Sequence, residues 1–437
     1  MAQLAKGSRK LLNAWAFYDW ANSVYSLVIA SAIFPIYYGA LFKIQGSLYI
    51  DAFGTTLKST ALISFVTAAA FLAVAVLSPI LSGIADFAGN KKSFMKFFCY
   101  MGAASCIGLY WFSLEHIYIS LTCYFLGLIG FWGSLVFYNS YLPDIAFREQ
   151  QDRVSAKGYS VGYIGSVILL VINLAMVIGS EGEAAMRAMR YSFVMVGVWW
   201  IVFSQYSYYY LPKGNRSNEK ISRAIVFNGF RELKKVWGLL GNNVSLKRYL
   251  RSFFVYSMAV QTVMLIATYF GEQEIAWESD SQRTSGLIIS ILLIQLVAVL
   301  GAVLTSRASA KFGNVPTLMF INGIWVCICV GAYFISLPIH FYVTASIVGL
   351  VMGGIQSLSR STYSKLLPKT DDTASFFSFY DVAEKIGIVI GMLIYGLIDQ
   401  VTGSPRYSIL FLAAFFLGGI YLLSTVPNKG TLMNAEE

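Results

Sequence analysis

Apolar stretches of about 20 residues recur along the whole chain, separated by short polar connections. Such a stretch crosses a hydrocarbon core of about 30 Å as an α-helix that rises about 1.5 Å per residue. The alternation of a barrel strand is absent, so helices are the predicted spanning elements. Twelve spans are predicted: 14–42, 57–85, 93–113, 117–139, 154–179, 188–211, 249–271, 284–306, 313–336, 339–364, 375–399 and 406–426.

The composition agrees with an integral membrane protein. The chain is 57% hydrophobic and only 12% charged, whereas soluble domains average about 25% charged residues. Residues 1–10 are polar and basic without a cleavable-signal pattern, so we expect the first span to stay in the mature protein. The 5 cysteines lie in predicted spans and form no zinc-type pattern with the 2 histidines. No metal site and no cofactor are therefore predicted.

The net charge of +10 is distributed unevenly between the two sides of the predicted membrane. Alternate connections and both termini carry 25 Lys and Arg residues, the other connections carry 6, and Lys385 lies within a span. This asymmetry predicts that both termini are cytoplasmic. Because the basic residues border the membrane, anionic lipids at the cytoplasmic face are the predicted partners, and nucleic acid is not.

The longest polar stretch, residues 212–247, divides the chain into an N-terminal bundle (1–211) and a C-terminal bundle (248–437), each with six predicted spans. The two halves repeat weakly at a constant offset. "SGIADFAGNKK" (82–92) corresponds to "SRASAKFGNVP" (306–316), and "FYNSYLPDI" (137–145) corresponds to "TYSKLLPKT" (362–370). A twofold repeat of six-helix units predicts the all-α major facilitator fold.

The loop at 82–92 also resembles the conserved inter-helix motif of the major facilitator superfamily. Ser82 replaces the motif's first Gly and Phe87 its first Arg, whereas Asp86, Gly89 and Lys91 match. The resemblance implies that these three residues form a gate-latch element rather than part of a substrate site.

Three further regions resemble one branch of that superfamily, the vacuole-effluxer-like family. They are "FYDWANSVYS" (17–26), "FYNSYLPDI" followed by "RVSAKGYSVGYIGS" (153–166), and "GGIQSLSRSTYSKLLP" (353–368) followed by "FFSFYDVAEKIG" (376–387). The family includes fungal vacuolar amino-acid effluxers and bacterial permeases of unknown substrate. Its members often carry a carboxylate in span seven, where this chain has Ser257, Met258 and Ala259.

In the implied fold, spans one, four, seven and ten line a central cavity, and spans five and eleven flank it. Polar side chains concentrate in these six spans. The alternative is that the uncharged ones only join helices by hydrogen bonds, each worth about 0.6 kcal/mol. The candidate substrate and coupling residues are Tyr18, Asp19, Asn22, Tyr138, Asn139, Tyr256, Gln261, Gln356, Arg360, Asp381, Glu384 and Lys385.

The charged members require partners, because an ionised group in hydrocarbon costs at least about 3 kcal/mol. Asp381 and Lys385 are four residues apart and are predicted to pair on one helix face. We predict that Asp19 joins Arg360 and this group in a cluster that changes with the conformational state. Asp19 is then the first candidate for proton coupling and Glu384 the second. Alternatively, Asp19 is a helix-start carboxylate favoured by the helix dipole.

The sequence contains no P-loop, no HExxH and no G-x-S-x-G motif, which argues against an enzyme and against an ATP-driven pump. The predicted function is secondary transport of a small polar solute, an amino acid or similar zwitterion, by alternating access with protons as the candidate coupling ion. The alternative is a flippase or exporter of a lipid or amphiphile on the same fold. The chain is expected to act as a monomer, in the inner membrane if it is bacterial.

Overall fold

The computed structural model describes residues 4–178, 180, 182–213, 234–402 and 404–427. These residues form two compact units, both built almost entirely from long helices. The first unit contains residues up to 141 and those from 161 onward in the N-terminal half. The second contains residues 142–160 together with the C-terminal half. The sequence assigned 142–160 to the N-terminal bundle, but the structure groups this segment with the second unit.

The first unit consists of five long helical stretches and the later part of a sixth, with a small hairpin between the first two. Its elements are α1 (Arg9–Val24), a π-helical segment (Tyr25–Ala32), α2 (Ile33–Gln45), β1 (Tyr49–Ala52), β2 (Thr55–Lys58), α3 (Ser59–Phe87), α4 (Lys91–Gly108), a 3₁₀ turn (Leu109–Trp111), α5 (Ile117–Ser140), the part of α7 (Gln151–Ile178) from residue 161, and α8 (Gly182–Tyr210).

The second unit contains the beginning of α7 and the helices that follow the linker. Its elements are α6 (Leu142–Ile145), the first ten residues of α7, a short helix α9 at 234–242, α10 (Val244–Glu274), α11 (Asp280–Phe312), α12 (Asn314–Ala332), α13 (Pro338–Leu366), α14 (Thr373–Thr402) and α15 (Pro405–Ser424). Residues 214–233 of the predicted linker lie outside the described residues. In α9, Val236 is buried and Trp237 is exposed, as expected of an amphipathic helix.

The internal repeat is visible in the packing of each unit. In the first unit α8 packs on α1 and α4, and α3 packs on α5. In the second unit α15 packs on α10 and α12, and α11 packs on α13. These are corresponding helix pairs of the two sequence halves. Among the described residues, nine helical stretches are long and apolar enough to cross a membrane, so the number of twelve spans stays a prediction.

The first predicted span is not a regular α-helix. The stretch Tyr25–Ala32 forms wider π-helical turns, and the Ser31 hydroxyl donates to the Ser26 carbonyl at 2.9 Å. No glycine or proline lies within the segment, although Pro35 follows it. Long π-helical stretches are rare, and shorter ones are frequent at functional sites. This segment lies near the middle of the span and begins six residues after Asp19.

A hairpin that the sequence pattern did not predict follows α2. Strands β1 and β2 pair antiparallel, with Ala52 opposite Thr55, so Phe53 and Gly54 form a two-residue turn. Both turn residues have positive φ, 52° and 76°, as the hairpin turn with two left-handed residues requires. The Phe53 amide donates to the Tyr118 hydroxyl at 3.1 Å and the two rings meet edge to face, which offsets the strain at Phe53.

Glycines allow backbone-to-backbone contact between helices. A side chain at Gly162 would meet the Ser23 hydroxyl at 2.5 Å, and one at Gly165 would meet Trp20 at 3.0 Å, so α7 lies directly against α1. The contacts at these two glycines indicate that they serve close packing of the two helices. The tightest approach in the second unit is at Gly301 of α11, where a Cβ atom would overlap the Leu350 carbonyl of α13.

Replacing Gly301 by Ala should therefore lower the thermal stability of the detergent-solubilised protein by several degrees, since overpacking costs about 1–3 kcal/mol. Gly323 of α12 is the matched control, because a Cβ there meets no atom within 4 Å. Alanine is the better helix former, so Gly323→Ala should melt at the same temperature or higher. Equal melting of the two variants, measured by scanning fluorimetry, would show that α11 and α13 do not pack this closely.

Candidate functional site

Asp19 is buried inside the first unit and bound by a tyrosine. Its residue exposure is 4%, and the Tyr138 hydroxyl of α5 donates to Asp19 Oδ2 at 2.7 Å. Trp15, one turn earlier, donates its indole N–H to the Tyr138 carbonyl at 2.9 Å and stacks on the Tyr138 ring at 4.5 Å. Trp15 was not among the predicted site residues, yet it contacts both the backbone carbonyl and the ring of Tyr138 and so fixes its position.

The position of Asp19 decides one of the sequence interpretations. Helix α1 begins at Arg9, ten residues before Asp19, which corresponds to about 15 Å along a helix axis. The dipole effect is confined to the first turn. The interpretation of Asp19 as a helix-start carboxylate is therefore wrong, because the helix extends beyond the apolar stretch from which its start was predicted.

Two neighbours on α1 present unpaired polar atoms. The Tyr18 ring lies 5.0 Å from that of Tyr138, and Asn22 follows Asp19 by three residues. Within the described residues, the Tyr18 hydroxyl and the Asn22 side-chain amide nitrogen are buried without a hydrogen-bond partner. Asn139 is half-buried next to Tyr138. The structure thus brings Tyr18, Asp19 and Tyr138 together on α1 and α5.

A second buried charged group joins α10 and α14 in the second unit. Lys385 is 1% exposed, and its ammonium lies 2.9 Å from Asp381 Oδ1 and 2.9 Å from Glu384 Oε2. The Gln261 side-chain amide of α10 donates to Glu384 Oε1 at 2.7 Å. The sequence predicted the pairing of Asp381 with Lys385, and the structure shows it. The additional role of Gln261 could not be read from spacing. We call these four residues the Lys385 cluster.

Arg360 of α13 is 2% exposed and is bound by the beginning of α7. Its Nε donates to the Ser155 hydroxyl at 2.9 Å and its Nη2 to the Ser155 carbonyl at 3.0 Å. The guanidinium carbon lies 4.2 Å from the centroid of the Tyr159 ring, within cation–π range. Gln356 lies one turn earlier on α13 and is half-buried.

Tyr256 of α10 contacts the residue next to Arg360. Its hydroxyl shares a hydrogen bond of 2.7 Å with the Ser359 hydroxyl and one of 3.2 Å with the Tyr249 hydroxyl. Tyr249 also donates to the Ser359 carbonyl at 2.9 Å. Tyr256 therefore bonds to α13, while Gln261, about one and a half turns further along α10, bonds to α14. The Tyr249 contribution was missed by the sequence reasoning.

A third group, which we call the Asp152 cluster, was also missed. Asp152 is the second residue of α7, and its carboxylate accepts from the Ser309 hydroxyl at 3.0 Å, the Asn314 amide at 3.0 Å and the Lys365 ammonium at 2.6 Å. Asn314 also donates to the Thr362 hydroxyl at 2.9 Å. Ser309 and Asn314 belong to the loop that repeats the gate-latch motif. The repeated Gly-Asn pair in that loop is the sequence feature from which this cluster could have been predicted.

The first copy of that loop carries the predicted gate-latch residues. Lys91 Nζ lies 3.8 Å from Asp86 Oδ1, and the Asp86 side chain is fully buried. Gly89 has φ 59°, a left-handed conformation that glycine adopts without strain. The second copy has Ala310 in place of Asp86, and the carboxylate there comes from Asp152. A gate-latch role for Asp86, Gly89 and Lys91 stays a prediction.

The predicted grouping of Asp19 with Arg360 and the Lys385 cluster also stays a prediction. Asp19 belongs to the first unit, and the other residues belong to the second. Within their own units, the charged candidates are buried, apart from the half-buried Glu384, and each is held by a hydrogen bond or an ion pair. Charged groups inside membrane helices generally mark substrate or ion pathways.

Comparison with known proteins identifies relatives over the whole length. The sequence model of the family described as "Vacuole effluxer Atg22 like" matches residues 7–435. The uncharacterized MFS-type transporter YxiO of Bacillus subtilis is 31% identical and covers 98% of this chain and 97% of its own. Autophagy-related protein 22 of Eremothecium gossypii is 25% identical over 73% of this chain and 66% of its own.

The fold is that of solved major facilitator transporters. The E. coli fucose:proton symporter FucP superposes with a TM-score of 0.69 at 14% identity, covering 96% of this chain and 98% of its own. The predicted all-α fold is confirmed by this likeness. YxiO and FucP are by name a transporter and a symporter rather than enzymes. The chain belongs to the Atg22-like vacuole effluxer family of major facilitator superfamily transporters.

Proposed function

We propose that this transporter moves a small zwitterionic solute of the amino-acid class by alternating access. The observation that carries the proposal is the Lys385 cluster, which holds one ammonium and two carboxylates within 2.9 Å contacts in a buried place. A zwitterion carries one positive and one negative group. Each can pair with an oppositely charged member of the Lys385 cluster, so that an ion pair with the solute replaces an ion pair within the protein. A neutral sugar could not compensate charges in this way.

Proton coupling is the second part of the proposal. Asp19 is buried and receives one hydroxyl donor from Tyr138, and Glu384 receives Gln261 and Lys385. A carboxylate that binds a proton loses its charge and its demand for donors, so these contacts would rearrange when it titrates. Asp19 remains the first candidate and Glu384 the second.

The test is a library of amino acids and other small solutes in proteoliposomes. Uptake and counterflow are measured with and without an imposed pH gradient. We expect counterflow of at least one zwitterion, and accumulation of that solute only when the gradient is present. Movement of a fluorescent short-chain phospholipid between leaflets, with no counterflow of any solute, would instead support the flippase alternative.

Orientation follows from the charge asymmetry. We propose that both termini and the 212–247 linker are cytoplasmic, in the inner membrane if the protein is bacterial, with the basic face against anionic lipids. Reporter fusions at positions 230 and 275 should then report opposite sides, because one lies in the basic linker and the other in an acidic loop, "GEQEIAWESDSQR". Fusions that report the same side would refute this topology.

A further inference from the structure

Four lysines surround the end of α8, where the sequence reads "QYSYYYLPK" (205–213). Lys92, at the start of α4, donates to the Leu211 carbonyl at 2.7 Å and is 7% exposed. One turn later, the Lys96 ammonium lies 5.2 Å from the centroid of the Tyr208 ring. Lys213 is the last residue of the quoted stretch and is exposed.

The fourth lysine comes from the beginning of α1. The Lys10 ammonium lies 4.6 Å from the centroid of the Tyr210 ring. Helices α1 and α4 and the stretch that follows α8 therefore each contribute a cation to the same end of the first unit. We call Lys10, Lys92, Lys96 and Lys213 the lysine cluster.

No carboxylate of the described residues pairs with any member of the lysine cluster. The nearby Asp86 pairs with Lys91 instead. Burial, together with the charges of Lys96 and Lys213, lowers the pKa of Lys92 to about 8. Among the residues that the structure describes, positive charge is thus concentrated here without an acidic partner, and an external anion would relieve the repulsion.

The surroundings indicate where that anion would come from. Tyr206 and Tyr209 of the same helix end are 41% and 57% exposed. Exposed tyrosines at the end of a membrane helix are typical of the headgroup level, where one side of the ring is apolar and the hydroxyl is wet. The lysine cluster therefore lies at the depth of lipid phosphates rather than in bulk solvent.

We propose that the lysine cluster is a binding site for the headgroup of an anionic phospholipid, with Lys92, Lys96 and Lys213 contacting the phosphate and Lys10 at the edge. Ammonium groups bind phosphate as point charges. A choline headgroup brings its own cation, which the unpaired lysines would repel. The inference deepens the proposed lipid contact of the basic face, and it rests on the proposed topology only for the choice of leaflet.

The test uses the purified full-length protein in detergent and follows its melting temperature as lipid is added. Phosphatidylglycerol should stabilise the protein more than phosphatidylcholine does. Each lysine that contacts the bound headgroup should contribute about fivefold in affinity. In the Lys96→Gln/Lys213→Gln variant the half-maximal phosphatidylglycerol concentration should therefore rise at least about tenfold. Lys213→Gln alone, at an exposed position, should raise it about fivefold.

The matched control is Lys247→Gln/Lys311→Gln, which removes two exposed lysines of the second unit and should leave the response unchanged. Equal stabilisation by the two lipids, or an unchanged response of the double variant, would overturn the proposal. Inorganic phosphate that stabilises as well as the lipid would show a site for a free anion instead. Because no transport is measured, this result is independent of whether the solute proposal succeeds.

Discussion

Replacing Asp19 by Asn should abolish proton-driven accumulation of the transported solute while downhill exchange continues. Asparagine keeps the size and can accept from Tyr138, whose hydroxyl lies 2.7 Å from the Asp19 carboxylate, but it cannot bind or release a proton. With one proton coupled per solute, a gradient of one pH unit supports about tenfold accumulation. The Asp19→Asn substitution should bring this ratio to about one in proteoliposomes.

Two further variants show whether the effect belongs to this site. Asp51→Asn changes an exposed carboxylate of the hairpin, which accepts from Thr56 at 2.6 Å, and should leave accumulation unchanged. Glu384→Gln tests the second candidate. If Asp19→Asn accumulates solute with the pH dependence of the parent protein, Asp19 does not couple protons. A full effect in Glu384→Gln would then transfer the role to the Lys385 cluster.

Removing the charge of Lys385 should destabilise the protein more than removing any exposed lysine. Lys385→Met leaves the Asp381 and Glu384 carboxylates without the ammonium that lies 2.9 Å from each. Breaking a buried pair by removing one partner costs about 3–5 kcal/mol, because the remaining charge stays in a low dielectric. We expect a large fall in melting temperature or the loss of folded protein from detergent extracts.

The matched control is Lys235→Met. Lys235 and Asp372 also lie 2.9 Å apart, but the lysine side chain is 57% exposed, against 1% for Lys385. Exposed pairs contribute about 0–1 kcal/mol, so this variant should melt almost like the parent. Lys385→Arg keeps the charge and should retain folded protein. Equal losses in Lys385→Met and Lys235→Met would mean that burial does not determine the contribution of Lys385.

Local features of the sites could be predicted from the sequence. The pairing of Asp381 with Lys385 follows from a spacing of four residues on one helix. The apolar stretches located the membrane helices, because hydrocarbon thickness sets their length. Their ends were less accurate: α1 begins at Arg9 rather than near residue 14, since the polar end of a helix can extend into the headgroup region.

Contacts between distant residues could not be predicted. Tyr138 and Asp19 are 119 residues apart, and Lys365 and Asp152 are 213 apart. Neither periodicity nor composition indicates that such distant residues are in contact. Without knowledge of its contact with Lys365, Asp152 would be interpreted as an acidic residue in the first turn of a helix, where the helix dipole favours it. The repeated Gly-Asn loop indicated the position of the Asp152 cluster. The carboxylate of the cluster, however, comes from α7 rather than from the loop itself.

The π-helical segment and the hairpin were missed for a different reason. The segment Tyr25–Ala32 contains the apolar residues of a regular span, so its hydropathy resembles that of an α-helix. In the hairpin, Phe53 occupies a turn position that favours Gly, Asn or Asp. Its conformation depends on the contact with Tyr118, which lies 65 residues further along the chain.

Zwitterion transport coupled to protons can be tested with a single exchange measurement. Proteoliposomes containing the purified protein are loaded with a candidate amino acid, and uptake of the labelled amino acid is followed with and without a pH gradient. We expect exchange in both conditions and net accumulation only with the gradient. Exchange of neutral sugars but of no zwitterion, or accumulation that ignores the gradient, would contradict it.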